Sequence, residues 1–147
     1  MKKVSNSFQL VFPALSENER FCRQCVTAFV SPMNPTVEEL SDLRTAVSEA
    51  VTNCIVHAYR EIGEQGRITV TGKRFADGRI VIRVRDKGCG MADVDLCRQP
   101  LYTSDPCGER GGMGFPIMES FCDAVKVASA VGRGTTVTLT KRFSHDR

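Results

Sequence analysis

The sequence predicts a two-layer α/β sandwich, with a mixed, mostly antiparallel sheet and helices gathered on one face. Three observations predict it. The periodic segments run strand, two helices, hairpin, long polar loop, helix, hairpin. The strands come mostly in hairpin pairs, which make antiparallel ladders with short turns. No internal repeat, low-complexity tract or linker interrupts the 147 residues, a length that suits one domain with a real core.

Each element has its own signal. Phe8, Leu10 and Phe12 alternate with smaller or polar residues, a strand that Pro13 ends. Ser16 and Glu19 form a capping-box pattern opening a helix, in which Cys22, Cys25, Val26 and Phe29 recur at helical spacing until Ser31-Pro32-Met33-Asn34-Pro35. A second capping box, Thr36 with Glu39, opens a longer helix to about residue 60. Its core stripe is Leu40, Leu43, Val47, Val51, Cys54 and Ala58. Ile68 and Val70, then Ile80, Ile82 and Val84, mark two strands joined through Asp77-Gly78. Residues 86–114 are rich in Gly, Pro and polar types, and a loop of that length inside a domain is usually functional. Ile117, Met118 and Phe121 predict a third helix. Strands around Val125–Val127 and Val137–Leu139 follow, turning through Gly132-Arg133-Gly134. The expected organisation is one domain over 1–147 with a mobile lid at about 91–113.

Charge and cysteine content exclude several classes. A net charge of +3, from 20 Lys+Arg against 17 Asp+Glu, is scattered and gives no basic stripe for nucleic acid. No apolar run approaches a membrane span, and the first residues lack a signal-peptide core, so a cytoplasmic location is expected. Seven cysteines without framework spacing read mostly as free thiols. Cys22-x-x-Cys25 could be a redox pair or half of a zinc site, but both lie on the apolar stripe of their helix and no second pair exists. Cys89, between two glycines, would be reactive if exposed. There is no GxxxxGK[ST] loop, third dinucleotide glycine, HEXXH or protein-kinase catalytic set.

Four segments can carry chemistry. Glu49 and Asn53, one helical turn apart, project from the same face of the long helix, nearly opposite the Leu40/Leu43/Val47 stripe. Ala46 and Val56 flank them, so a ligand or a loop covers that face, whereas two polar residues alone would be a solvated one. Asp86-x-Gly88-x-Gly90 follows an apolar strand. Its carboxylate, acceptor-only when ionised, suits the exocyclic amine of adenine and would reject the guanine carbonyl. In isolation the same segment is a plain Asp-Gly turn. Glu109-Arg110-Gly111-Gly112-Met113-Gly114 leads into the third helix, where bare amides at a helix start and the Arg110 cation make an anion site; the alternative is a flexible glycine linker. Gly134-Thr135-Thr136 is by itself only a turn. His57, one turn after Asn53, reads as a packed histidine.

Taken in order, Glu49-xxx-Asn53, Asp86-x-Gly88-x-Gly90, Gly112-x-Gly114 and Gly134-Thr135 resemble the N, G1, G2 and G3 boxes of the GHKL ATPase/kinase superfamily. Ser48-Glu49-Ala50-Val51-Thr52-Asn53 with His57-Ala58-Tyr59 is similar to the N-box of bacterial anti-sigma serine kinases. Glu109-Arg110 with Gly112-Met113-Gly114-Phe115 and Ile117-Met118-Glu119 is similar to their sporulation branch. The resemblance runs from about Asn6 to Phe143. Gly111, Pro116 and Asp105-Pro106-Cys107-Gly108 depart from the pattern.

The resemblance implies a GHKL (Bergerat) fold and an ATP-dependent serine kinase. Such a protein binds and inhibits a sigma factor as a homodimer and phosphorylates an anti-anti-sigma antagonist on serine. It implies no direct nucleic-acid or membrane partner. It implies Glu49 as the base and Asn53 as the ligand of Mg²⁺. Asp86 would be the adenine reader, with Gly88, Gly90, Thr135 and Thr136 around the nucleotide. Arg110 with Gly112 and Gly114 would act on the terminal phosphate of ATP or ADP, and Arg20 would be a partner-docking residue. The alternatives are a non-catalytic, nucleotide-gated binding module of the same fold, a histidine-kinase catalytic domain, and a metal or redox protein built on Cys22 and Cys25.

Overall fold

The computed structural model describes residues 3–58, 66–87, 114–130 and 133–144. Five strands, β1 (Val4–Pro13), β2 (Arg67–Phe75), β3 (Arg79–Asp86), β4 (Ala124–Ala130) and β5 (Gly134–Arg142), form one sheet in the order β1-β2-β3-β5-β4. All four described pairings are antiparallel, so the parallel component expected of a mixed sheet is absent among the described residues. The helices are α1 (Ser16–Val30), α2 (Val37–Asn53) and α3 (Gly114–Phe121).

Alternation explains why the helices share one face. Ile68 and Val70 on β2, Ile80, Ile82 and Val84 on β3, and Val137 and Leu139 on β5 are buried, while Arg83 and Arg85 between them are exposed. Cys22, Val26 and Val30 of α1, Leu43, Val47 and Val51 of α2, and Met118 of α3 complete the core against that face. Each such aliphatic side chain, fully buried, contributes about 1.5–3 kcal/mol of transfer free energy. Helix α2 packs between α1 and α3, which is why Ala46 and Ala50 are buried as well as the expected stripe.

The helix starts differ from one another. At α2 the capping box forms: Thr36 Oγ1 accepts from Glu39 N at 3.0 Å, and Glu39 Oε1 accepts from Thr36 N at 2.9 Å. At α1 the expected Ser16–Glu19 box does not form. The N-cap is Leu15, without a side-chain cap bond, and Ser16 already lies inside the helix. The Asn18 side chain instead donates to Pro13 O at 2.9 Å, and Asn18 N to Leu15 O at 2.9 Å, which sets the turn one residue earlier than the sequence pattern. Ser31–Met33 continues α1 as a 3-10 turn that stops at Asn34, in the left-handed region at φ 55°. Pro116 sits in the first turn of α3, where its missing N–H costs no helical hydrogen bond.

The β2–β3 turn follows its Asp-Gly signal. Gly78 has φ 89°, and Arg79 N donates to Asp77 Oδ1 at 3.2 Å. At the far side of the sheet, Lys141 Nζ of β5 donates to Phe121 O at 2.8 Å and lies 3.8 Å from Asp42 Oδ2. It ties the end of α3 to α2 with a cation at a helix C-terminus. No described helix is long and apolar enough to cross a membrane.

Candidate functional site

The α/β sandwich brings the C-terminal ends of α2 and β3 together. Asp86 is the last residue of β3 and lies opposite Thr135 in the β3–β5 register. It is 5% exposed, and a carboxylate so buried needs donors. Thr135 N donates to Asp86 Oδ1 at 3.2 Å, and Cys54 Sγ donates to Asp86 Oδ2 at 3.3 Å. Thr135 is itself buried at 7% exposure, with its hydroxyl 2.7 Å from Ser129 Oγ, which also donates to Gly134 O at 3.1 Å. Two strands and one helix therefore fix a single carboxylate.

Gly134 makes this approach possible. Its φ is +99°, and a Cβ there would run into the backbone of Asp86 and Lys87. Only glycine lets β5 begin so close to the end of β3.

Cys54 comes directly after Asn53, the last residue of α2, and opens a π-helical turn over Cys54–Ala58. Its backbone N–H is shared between Ala50 O, four residues back, and Val51 O, three residues back, so α2 closes on a bifurcated bond where the π-helical turn begins. The residue beside Asn53 thus touches Asp86, so the ends of α2 and β3 adjoin. Glu49 lies one turn earlier, about 6 Å along the axis from Asn53. It is 8% exposed and Asn53 is half-buried, so the polar face of the long helix is covered rather than solvated.

Glu49 also closes one end of a polar groove of about 490 Å³ between α1 and α2, lined by Arg23, Ser41, Arg44, Thr45 and Ser48 among others. Of the first helix's two arginines, Arg23 lines this groove, whereas Arg20 is exposed and does not. The two threonines also part. Thr135 meets Asp86, while Thr136 is on the other face of β5, in an open groove with Arg83, Arg85, Lys126 and Thr138. This is the alternation of a strand: adjacent residues cannot both face one site.

Gly88, Gly90, Arg110 and Gly112, together with Cys89 and the segment 91–113 expected as a lid, lie outside the described residues. Gly114 is the first residue of α3. Cys22 and Cys25 are free thiols, as are Cys54 and Cys122. The Cys22 thiol is pushed up to about 12, first by burial and then by Cys25 and Glu19, so it stays protonated and inert at neutral pH. Among the described residues no three His, Cys, Asp or Glu side chains cluster as a metal site would require.

Two contributors were not singled out in the sequence. Cys54 was read as a core residue, and its position directly after Asn53 was the available signal. Ser129 gave none short of the β4–β5 register that sets it opposite Thr135.

Comparison with known proteins places these residues in a family. Residues 12–141 match the histidine kinase-like ATPase domain. The chain is 48% identical over 142 residues to an anti-sigma F factor of Pasteuria penetrans, covering 97% of this chain and 94% of the relative. It is 46% identical to the anti-sigma F factor of Geobacillus thermodenitrificans, covering 98% and 97%. Among solved structures, the RsbU and RsbW domains of a Mycobacterium tuberculosis protein match with a TM-score of 0.69 at 22% identity, covering 95% of this chain and 33% of that one. The chain in the SiaB-SiaC complex of Pseudomonas aeruginosa matches with a TM-score of 0.66 at 14% identity, covering 93% and 89%. Both structural likenesses concern the fold. With a family match over most of its length and relatives this similar end to end, the chain belongs to the histidine kinase-like ATPase domain family, among the anti-sigma F factors.

Proposed function

We propose that this protein is an ATP-dependent protein serine kinase that binds and inhibits a sigma factor. In this reading it acts as a homodimer in the cytoplasm and phosphorylates an anti-anti-sigma antagonist on serine. The observation that carries the reading is the buried Asp86 carboxylate, held by Thr135 and Cys54 beside the end of the helix that presents Glu49 and Asn53. The relatives' name, anti-sigma F factor, supports the sigma-factor partner. The resemblance of the four boxes supports the chemistry.

The residues fit a magnesium nucleotide. Asp86, as a buried acceptor, takes a hydrogen bond from the adenine amine; a guanine carbonyl there would set acceptor against acceptor. Asn53 would hold Mg²⁺ through its amide oxygen, and the bound ion would neutralise phosphate charge. Glu49 accepts the proton of the acceptor serine, or orients that hydroxyl, from a position shielded by α1 and the groove residues. By the resemblance, Arg110 with Gly112 and Gly114 would balance charge on the terminal phosphate, and Gly88 and Gly90 would serve the base. Arg20, exposed on α1, would dock a partner.

The test is transfer from labelled ATP to a serine of the anti-anti-sigma partner. Glu49→Gln should abolish transfer and leave ADP affinity within about twofold, since a base contributes to the chemical step rather than to ground-state binding. Undiminished transfer by that variant would remove Glu49 from the role. A stable partner complex with no transfer by the unaltered protein would leave a nucleotide-gated binding module instead.

A further inference from the structure

We propose that Cys54 is a positioning residue for base recognition, its thiol holding the Asp86 carboxylate in the orientation that reads adenine. This inference rests on the nucleotide reading of the same site. The chain does not need a polar residue at position 54 for packing. Cys54 follows the apolar stripe of α2 and is buried, and an aliphatic side chain would continue that stripe. What the structure shows instead is a directed contact, Sγ to Asp86 Oδ2 at 3.3 Å, across 32 residues of sequence.

The geometry gives that contact a purpose. Thr135 N holds Oδ1 from β5, and Cys54 holds Oδ2 from the start of the π-helical turn. Donors on both oxygens, from two elements, fix its plane. A carboxylate offers about four acceptor positions, enough to serve several donors at once. The widened hydrogen-bond pattern after Asn53 starts at the residue whose side chain makes the contact, so the magnesium-side amide and the base-side donor are adjacent in one segment.

The experiment measures the ADP dissociation constant, and its ratio to that of IDP, for the full chain and four variants, with thermal melts alongside. Cys54→Val keeps the apolar volume and removes the donor; Cys54→Ser keeps a donor in a smaller side chain; Cys54→Ala removes both. Asp86→Asn reports on the nucleotide reading itself. The expected result is ADP binding about tenfold weaker for Val and Ala, with a smaller preference over IDP, and Ser within about threefold of the parent. A purely structural residue would give the reverse order, with Val closest to the parent and the base preference unmoved. Unchanged binding in Cys54→Val, with binding lost in Asp86→Asn, would overturn the role of Cys54 alone. Unchanged binding in Asp86→Asn would overturn the nucleotide reading and the inference with it.

Discussion

Replacing Gly134 by alanine tests how closely β5 must approach β3. The residue sits at φ +99°, outside the range that alanine adopts without strain, at a cost of about 1–2 kcal/mol. The new methyl group also meets the Asp86 carbonyl group and the Lys87 Cα. These are backbone atoms, which cannot rotate aside as a side-chain tip would, so the start of β5 has to move off the end of β3. Overpacking of this kind costs about a further 1–3 kcal/mol. For a chain of this length each kcal/mol corresponds to roughly 3 °C, so Gly134→Ala should melt about 10 °C lower. The movement also pulls on the 3.2 Å bond from Thr135 N to Asp86, so ADP should bind at least about tenfold more weakly. Circular-dichroism melts and calorimetric ADP titration measure both. Gly78→Ala is the control: at φ 89° in the β2–β3 turn, at the other end of β3, it should cost about 1 kcal/mol and leave ADP binding unchanged. A Gly134→Ala protein that melts and binds ADP as the parent does would refute the reasoning.

Two further outcomes follow from local features. Thr36→Ala removes the hydroxyl that caps Glu39 N and should lower stability by about 1 kcal/mol, or roughly 3 °C, in a thermal melt; no change would mean the capping box is not formed in solution. The buried Cys22 thiol, raised from its ordinary 9.0 to about 12, keeps its proton in the folded chain after the unfolded chain has lost it. Its contribution is therefore fully present below pH 9 and is lost as pH rises towards 12. Urea midpoints taken at pH 8 and pH 10 should fall further in the parent than in Cys22→Ala, and equal falls would contradict the shift.

How much of this was legible depended on the range of the interaction. The Thr36–Glu39 box, the Asp77-Gly78 turn and most of the stripes of α1 and α2 are set by residues within a turn of one another: Cys22, Val26, Leu43, Val47, Val51 and Cys54 are buried where the periodicity put them, while Cys25, Phe29 and Leu40 are half-buried. The Ser16–Glu19 pattern was equally good locally and failed because Asn18 captures Pro13 O and fixes an earlier start. Asp86 could be picked out as a carboxylate at the end of a strand, but its partners are set by register. Pairing Asp86 with Thr135 decides that Thr135, and not Thr136, faces the carboxylate. Cys54 fits a helical core pattern so well that only its place directly after Asn53 pointed towards the contact with Asp86, 32 residues on. Arg20 is exposed as its place on the outer side of the first helix implied, whereas Arg23 enters the groove only through the packing of α1 against α2, which no local pattern marks.

The most direct test is calorimetric titration of the parent and Asp86→Asn with magnesium ADP, repeated with GDP. A site organised around one buried carboxylate predicts clear binding of ADP, little of GDP, and a loss of roughly ten- to a hundredfold or more for Asp86→Asn, where an amide can satisfy the Thr135 N–H or the base but not both as the carboxylate does. Equal affinity of the parent and Asp86→Asn for ADP would contradict it.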